Sequence, residues 1–393
     1  MVKRRHVFHV GGYDAQGAEG YYRLSVRESK RFLKVWPIEL HVGDLRIDSD
    51  DLAYWNIESA GPNWQVAIRY EFLRLEHFLR ANLAQPLTRQ LARAAWWAVD
   101  DLITGALWRI SRSSWRFALH LAYLQLVLVL WIAVAAAGGS LAAVLTMHFV
   151  NLPTPITIAI ALVAGVAIFM LLRPLADRWF ILQVANCWPY IREFARGKAT
   201  GYDRPIDILA ARIVAAASAN EADELVVIGH SSGGAIGAAV VARALELDPD
   251  LFRHHPRLVL MTLGSLLPAL TLHPAADRLR GAVRRLAMER SLVWVDCQSR
   301  KDWLNFWDVD PLEASGAELG QRRCSLRIWQ VRFREMLSPD SIRRMQWNLL
   351  RMHYQFIMAN EARSPYDFFM LVCGPASVTD WASAGRDILA AML

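Results

Sequence analysis

Apolar residues along this chain follow three patterns, each predicting a different kind of element. Near the start, His6-Val7-Phe8-His9-Val10 alternates and runs into Gly11-Gly12. A period of two closed by glycines predicts a strand and a turn; no apolar stretch of signal-peptide length follows the basic Met-Val-Lys-Arg-Arg start. In the middle, no Lys, Arg, Asp or Glu occurs between Arg116 and Arg173. Within that gap, residues 118–138 and 156–172 are almost wholly apolar. As helices they would span about 31 and 26 Å, against a bilayer core of about 30 Å. They predict a transmembrane hairpin, with Pro155 at a helix-initiating position; a pair of fully buried core helices is the alternative. Beyond it, short apolar runs (225–228, 257–263, 292–295, 326–331) alternate with helical patterns (235–247, 275–289, 341–360). That order is expected of a mostly parallel sheet flanked by helices, an α/β fold with an inserted two-helix hairpin.

The residues flanking the apolar gap suggest an orientation. Arg109, Arg112 and Arg116 precede the first span, Arg173 and Arg178 follow the second, and the connecting loop has no basic residue. The positive-inside rule then places both flanks, and with them both termini, in the cytoplasm. Trp108, Trp115 and Trp179 stand where interfacial aromatics belong. Residues 88–110 mix Trp96, Trp97, Leu102, Ile103 and Leu107 with Arg89, Arg93, Asp100 and Asp101. A helix would sort these into two faces, and would either lie on the membrane surface or cover the sheet.

Composition sharpens the picture. Of 393 residues, 54% are apolar and 21% charged, more hydrophobic than an ordinary soluble enzyme needs, so part of the chain belongs in lipid. A net charge of +7 raises the question of nucleic acid. The arginines are spread out with no run of five or more basic residues, so no nucleic-acid partner is expected. Cys187, Cys297, Cys324 and Cys373 lie far apart, without a Cys-x-x-Cys pair or a Cys/His cluster. They read as reduced thiols of a cytosolic domain. His148, placed in the hairpin loop, and the His254-His255 pair have no companions at metal-ligand spacing, and no nucleotide or flavin motif occurs. Neither cofactor nor metal is expected.

The chemistry centres on Gly229-His230-Ser231-Ser232-Gly233-Gly234, between the apolar run 225–228 and a helix rich in small residues. A serine held in a strained turn needs neighbours without side chains, and small residues let the following helix pack closely on the sheet. Here the chain resembles the α/β-hydrolase superfamily of lipases, esterases and related serine hydrolases, whose Gly-x-Ser-x-Gly nucleophile elbow it matches residue for residue. The resemblance covers residues 1–110 and 176–393, with only the elbow specific. It implies three parts: the first strand, oxyanion loop and helical segment in 1–110, the hairpin in 111–175, and the main catalytic part in 176–393.

The resemblance implies Ser231 as nucleophile and the backbone N–H of Ser232 as one oxyanion donor, with a second from the loop after an early strand. Gly12 or Tyr13 would supply the second, although Val10 separates His9 from the glycines and the fuller His-Gly-Gly signature is not reproduced. The pair could also be a simple turn. Acid and base should follow in the order Ser, Asp, His. Asp296, Asp302, Asp308 and Asp310 all follow the run 292–295. Asp302, heading Asp-Trp-Leu-Asn-Phe, is similar to the family's acid stretch, with Asp296 and then Asp310 as rivals. His353 is the only histidine after residue 273 and is the expected base, with His273 the fallback. His230 is expected to point away and serve packing.

Two function classes follow. One is a membrane-anchored serine hydrolase acting on an ester, thioester or lipid acyl bond through Ser231, His353 and Asp302, with the bilayer as partner. The other is a non-catalytic protein of the same fold, used for recruitment or scaffolding.

Overall fold

The structure, a computed structural model, describes all residues except 151, 179–180, 199–200, 256, 317–322 and 393, and no side chain at 176–178, 181–184 or 389–392. Trp179 and the Arg178 side chain, expected beside the hairpin, lie outside the described residues.

A nine-stranded, mostly parallel sheet forms the centre. Its strands are β1 (Arg4–Val10), β2 (Glu39–Val42), β3 (Arg46–Ile47), β4 (Leu52–Gly61), β5 (Trp64–Leu73), β6 (Glu224–His230), β7 (Leu258–Leu263), β8 (Val293–Gln298) and β9 (Ser325–Gln330). They lie in the order β2-β4-β5-β1-β6-β7-β8-β9, with β3 beside β4. From β5 through β1 to β9 every pairing is parallel; β2, β3 and β4 run antiparallel to their neighbours. β6 and β7 are buried throughout, as strands covered on both faces must be.

The strands β2 to β5 are absent from the pattern reading. β5 carries a period-two signal, with Val66, Ile68 and Tyr70 buried and alternating with Gln65, Ala67 and Arg69. β4 likewise buries Trp55 and Ile57 on one face. The segment 341–360 is not one helix: Asn348 accepts from the Arg351 amide and starts a new short helix, Leu349–His353, after Pro339–Met345. A 3-10 turn, Tyr354–Ile357, follows.

Among the helices are α1 (Gly17–Phe32), α2 (Glu76–Leu83), α3 (Leu87–Ile103), α4 (Ala106–Ser113), α5 (Trp115–Phe149), α6 (Thr154–Arg178), α7 (Ile181–Ala195), α8 (Asp203–Ala219) and α9 (Gly233–Leu247). One sheet face is covered by α8, α9 and the helix Asp277–Met288, the other by α1, Phe368–Cys373 and the C-terminal helix.

Two helices, α5 and residues 154–175 of α6, are long and apolar enough to cross a membrane. They pack on each other, with the Trp131 and Phe169 rings stacked at 4.2 Å, yet most of their outer side chains are exposed; Leu171 is 82% exposed. A soluble core helix would bury that surface. His148 lies in the last turn of α5 rather than in the connecting loop.

Residues 88–110 form two helices, broken at Gly105 where φ is +67°. α3 does not cover the sheet: Leu87, Leu91 and Ala94 pack against Leu128 and Trp131 of α5. Arg93, Asp100 and Asp101 face inward, while Thr88 and Arg89 are exposed. Arg93 bonds Glu193 and Asn82, Asp101 accepts from Trp188 and Arg192, and Asp100 accepts from Arg196 and His273. Trp96, Val99, Leu102 and Ile103 point outward, Ile103 being 81% exposed, and Trp108 of α4 continues the strip at 67%. This is the reverse of a soluble surface helix.

The hairpin crossing depends on close backbone contact. A side chain at Gly139 would strike the Ala161 carbonyl and lie 3.1 Å from Gly165 N, whereas one at Gly138 would meet only the tip of Ile168. Gly139→Ala should therefore lower unfolding stability in detergent by about 1–3 kcal/mol through overpacking. Gly138→Ala should be neutral or better, because alanine favours helix by about 1 kcal/mol. Equal thermal midpoints for the two variants would show that the helices do not cross there.

Candidate active site

β6 ends at His230, and the chain turns sharply at Ser231, whose φ is +60°. For a residue with a side chain, such backbone costs about 1–3 kcal/mol and persists only where its surroundings enforce it. Three hydrogen bonds do so: Ser231 N donates to Leu263 O at the end of β7, and the Ser231 carbonyl accepts from Gly234 N and Leu266 N. The flanking glycines are sterically required. A side chain at Gly229 would press on the Gly233 and Gly234 backbone, and one at Gly233 would strike the Val10 and Gly11 carbonyls. The sequence pattern is thus explained by contact between α9 and the ends of β1 and β6.

β1 and β6 are adjacent and parallel, with Val10 opposite Gly229. The chain leaves β1 toward the β4–β5 side and leaves β6 toward β7, so Ser231 stands outside the carboxyl ends of the strands where the winding reverses. In open α/β sheets this is the crevice that binds ligands. The loop after β1 reaches the serine: a side chain at Gly12 would lie 3.0 Å from Ser231 Cβ.

The two predicted oxyanion positions differ. Gly12 N already donates to Tyr21 Oη at 3.0 Å, so the Gly12 amide is spent. Among the described residues, neither Tyr13 N nor Ser232 N donates a hydrogen bond. Tyr13 and Ser232 therefore remain as the pair of amides open to an oxyanion. Tyr21, which makes that choice, carried no sequence signal.

His353 ends its short helix fully buried, and its Nδ1 is 2.7 Å from Asp302 Oδ2. The carboxylate fixes Nδ1 as the protonated nitrogen and leaves Nε2 able to accept a proton. Nε2 is buried and makes no hydrogen bond among the described residues. Cε1 lies 2.9 Å from where a Gly264 side chain would begin, and Gly264 adjoins the Leu263 carbonyl that holds Ser231. The Ser231 hydroxyl itself makes no hydrogen bond among the described residues; such contacts often tighten only around substrate.

Asp302 is held by its own loop. Its Oδ1 accepts from Leu304 N, and Asn305 knots the turn by donating to the Ser299 and Asp302 carbonyls while accepting from Ser299 N. The rivals are engaged elsewhere. Asp296 accepts from Thr262 and Gln298, its pKa raised to about 6 by burial, and Asp310 caps the turn 311–314. Asp308 accepts from Gln330. His273, the fallback base, pairs with Asp100 Oδ2 at 2.9 Å.

His230 does not point away from the site. Its ring centroid is 4.8 Å from that of His353, and its Nε2 donates to the His353 carbonyl at 3.3 Å. No local pattern could have signalled a contact spanning so much chain.

The acid loop rests on the start of α5. Arg116 donates to the Arg300 carbonyl at 2.6 Å, the Trp115 ring is 5.9 Å from Trp303, and Phe117 is 5.0 Å from Phe306. The hairpin thus begins against the loop that carries Asp302.

Among the described residues, one group could hold a metal ion: Asp100, Asp101 and His273 place one ligand atom each within 4.8 Å of one another. Arg192 and Arg196 already neutralise these carboxylates and occupy the lone pairs a cation would need.

No protein family, curated protein or solved structure matches the chain. It is an α/β protein with a mostly parallel sheet flanked by helices and two helices of membrane-spanning length.

Burial also sets a pH response. Burial lowers the His9 pKa to about 3, and it pushes His230 well below the ordinary histidine value, with the nearby His353 and His9 adding to the effect. Below about pH 6.5 the unfolded chain takes up protons that the folded site refuses, so stability falls as pH drops. His9→Phe removes one such group and should flatten the fall in unfolding free energy between pH 6.5 and 5 by about 1 kcal/mol per pH unit. Losing the bond from Tyr70 to His9 lowers stability at every pH, so the slope is the readout. Asp296 and Asp367, both raised to about 6 by burial, act in the opposite sense but are common to both proteins. Parallel curves would show that His9 titrates normally.

Proposed function

We propose that the protein is a membrane-anchored serine hydrolase of α/β-hydrolase type that cleaves an ester, thioester or lipid acyl bond. The observation that carries this reading is the buried 2.7 Å pair of His353 and Asp302 beside a turn that holds Ser231 at φ +60°. Ser231 Oγ attacks the acyl carbonyl while His353 Nε2 takes its proton. Asp302 holds the imidazole in one tautomer and stabilises the cation that forms. The Ser232 and Tyr13 amides donate to the oxyanion. The intermediate collapses as His353 returns the proton to the departing alcohol or thiol, and water then attacks the acyl-enzyme by the same steps in reverse roles. His230 acts as a positioning residue, holding the His353 backbone.

The hairpin anchors this domain in the bilayer. With Arg109, Arg112 and Arg116 before it and Arg173 after it, the sheet domain and both termini lie on the cytoplasmic side. Trp96, Ile103 and Trp108 rest at the interface.

A fluorophosphonate probe applied to the detergent-solubilised protein tests the chemistry. Wild type should label and Ser231→Ala should not; His353→Ala and Asp302→Asn should label about 10⁴-fold more slowly or less, since removing the orienting carboxylate alone costs about that much in triad enzymes and removing the base costs more. Failure of a folded wild type to label would leave the non-catalytic, recruiting protein. A label that survives Ser231→Ala would assign the nucleophile elsewhere.

A further inference from the structure

Where α3, α4 and α5 meet, an open cleft of about 500 Å³ is walled by Leu102, Leu107, Trp108, Trp115, Leu119 and Ala122. Its size falls within the range of about 300–1,000 Å³ typical of small-molecule sites, and its lining is overwhelmingly apolar. The one carboxylate at its edge, Asp101, is tied up by Trp188 and Arg192. An apolar cleft open to water would be a liability on a soluble protein. Here the rim continues without a break into the exposed apolar surface of α5, so what covers that surface also covers the cleft mouth.

The cleft also adjoins the catalytic machinery. Trp115 forms one wall and packs on Trp303, the neighbour of Asp302. On the other side, α4 is fixed by Arg109, whose Nε donates to the Leu272 carbonyl in the segment after β7. That segment also carries Leu266, whose amide bonds the Ser231 carbonyl. One wall therefore touches the loop bearing the acid, and the other touches the segment that bonds the Ser231 turn.

From this placement we infer that the cleft is a binding site for one acyl chain of a bilayer lipid, entered sideways from the membrane, and that it holds the acyl chain of the substrate. The occupant follows from the surroundings: an unbranched apolar chain is the ligand a bilayer presents at such a mouth, and the wall offers no unpaired charge to a polar one. The acyl-chain site rests on the placement of the hairpin in a bilayer; its use for substrate rests in addition on the hydrolase reading above.

The test uses the full-length protein in phosphatidylcholine vesicles containing a phosphatidylcholine with a photoactivatable diazirine in one acyl chain. Crosslinks should concentrate in residues 102–122. They should fall at least fivefold there in Ala122→Trp and in Leu102→Trp, which fill the cleft from α5 and α3, and stay unchanged in Val163→Trp, an exposed position on α6 outside the cleft lining. In parallel, the rate ratio for a sixteen-carbon over a four-carbon p-nitrophenyl ester should fall about tenfold in the two filling variants. Crosslinks spread evenly along α5 and α6, and unmoved by either substitution, would overturn the site. Because crosslinking needs no activity, a wild type that crosslinks at the cleft but does not label would keep the acyl-chain site while removing the hydrolase. Labelling with scattered crosslinks would do the reverse. Crosslinks at the cleft with an unchanged chain-length ratio would overturn the substrate role alone.

Discussion

The parallel pairing of β1 with β6 is the constraint on which the rest of the site depends. Val10 stands opposite Gly229, so the two strands end together and their following turns share one small volume. α9 then starts so close to β1 that only glycine fits at position 233. That contact brings the Gly12 loop onto Ser231 and leaves the Tyr13 and Ser232 amides available in the same region. It also joins halves of the sheet that lie far apart in sequence. At the opposite end of the same strands, buried Arg5 bonds Glu224 and the carbonyls of Val372, Gly374 and Ala376, locking the register from below. An unpaired buried guanidinium would cost several kcal/mol, so slipping β1 against β6 is doubly penalised.

The acid and base are tied in a different way. Asp302 comes from the loop after β8 and His353 from the last position of the helix Leu349–His353, and their bond is buried on both sides. Each partner is held by a second set of bonds: Asn305 closes the acid loop, while His230 and the Asn348 cap fix the histidine. Such redundancy is what a base needs to keep one tautomer and one direction. It also explains why Asp296 is unsuited to the role despite its place at the end of a strand: Thr262 and Gln298 use both of its oxygens.

Legibility in the sequence followed the range of the interactions concerned. The runs that became β6 to β9 and the apolar gap that became α5 and α6 are local patterns and could be read directly. β5 has an equally clear alternation, Val66-Ile68-Tyr70, but the antiparallel pair it forms with β4 departs from the alternation of strands and helices that marks the rest of the sheet. The break at Gly105 was readable in principle, since a glycine in a helical pattern is a possible stop. At the site, Ser231 and the Asp302 and His353 candidates were visible through the elbow motif and residue order. The loss of Gly12 as a donor to Tyr21, the inward turn of His230, and the seating of the acid loop on Arg116 were not. Each joins residues whose partners are decided by tertiary packing, which leaves no periodic trace.

The position of the hairpin in the chain is itself part of the site's construction. β5 ends at Leu73, opposite Val10, so the chain leaves the sheet at the same edge as the nucleophile. It must return to β6 on the far side of β1, and a parallel connection of this kind has to cross the sheet. The hairpin is inserted in that crossing. Its first turn therefore starts beside the carboxyl ends of the strands, and the loop bearing Asp302 can rest on Trp115, Arg116 and Phe117. An anchor attached at a terminus could hold a domain near lipid in any orientation. One inserted between β5 and β6, with Trp96 and Trp108 of its neighbouring helices exposed, sets its apolar surface beside the end of the sheet that carries Ser231.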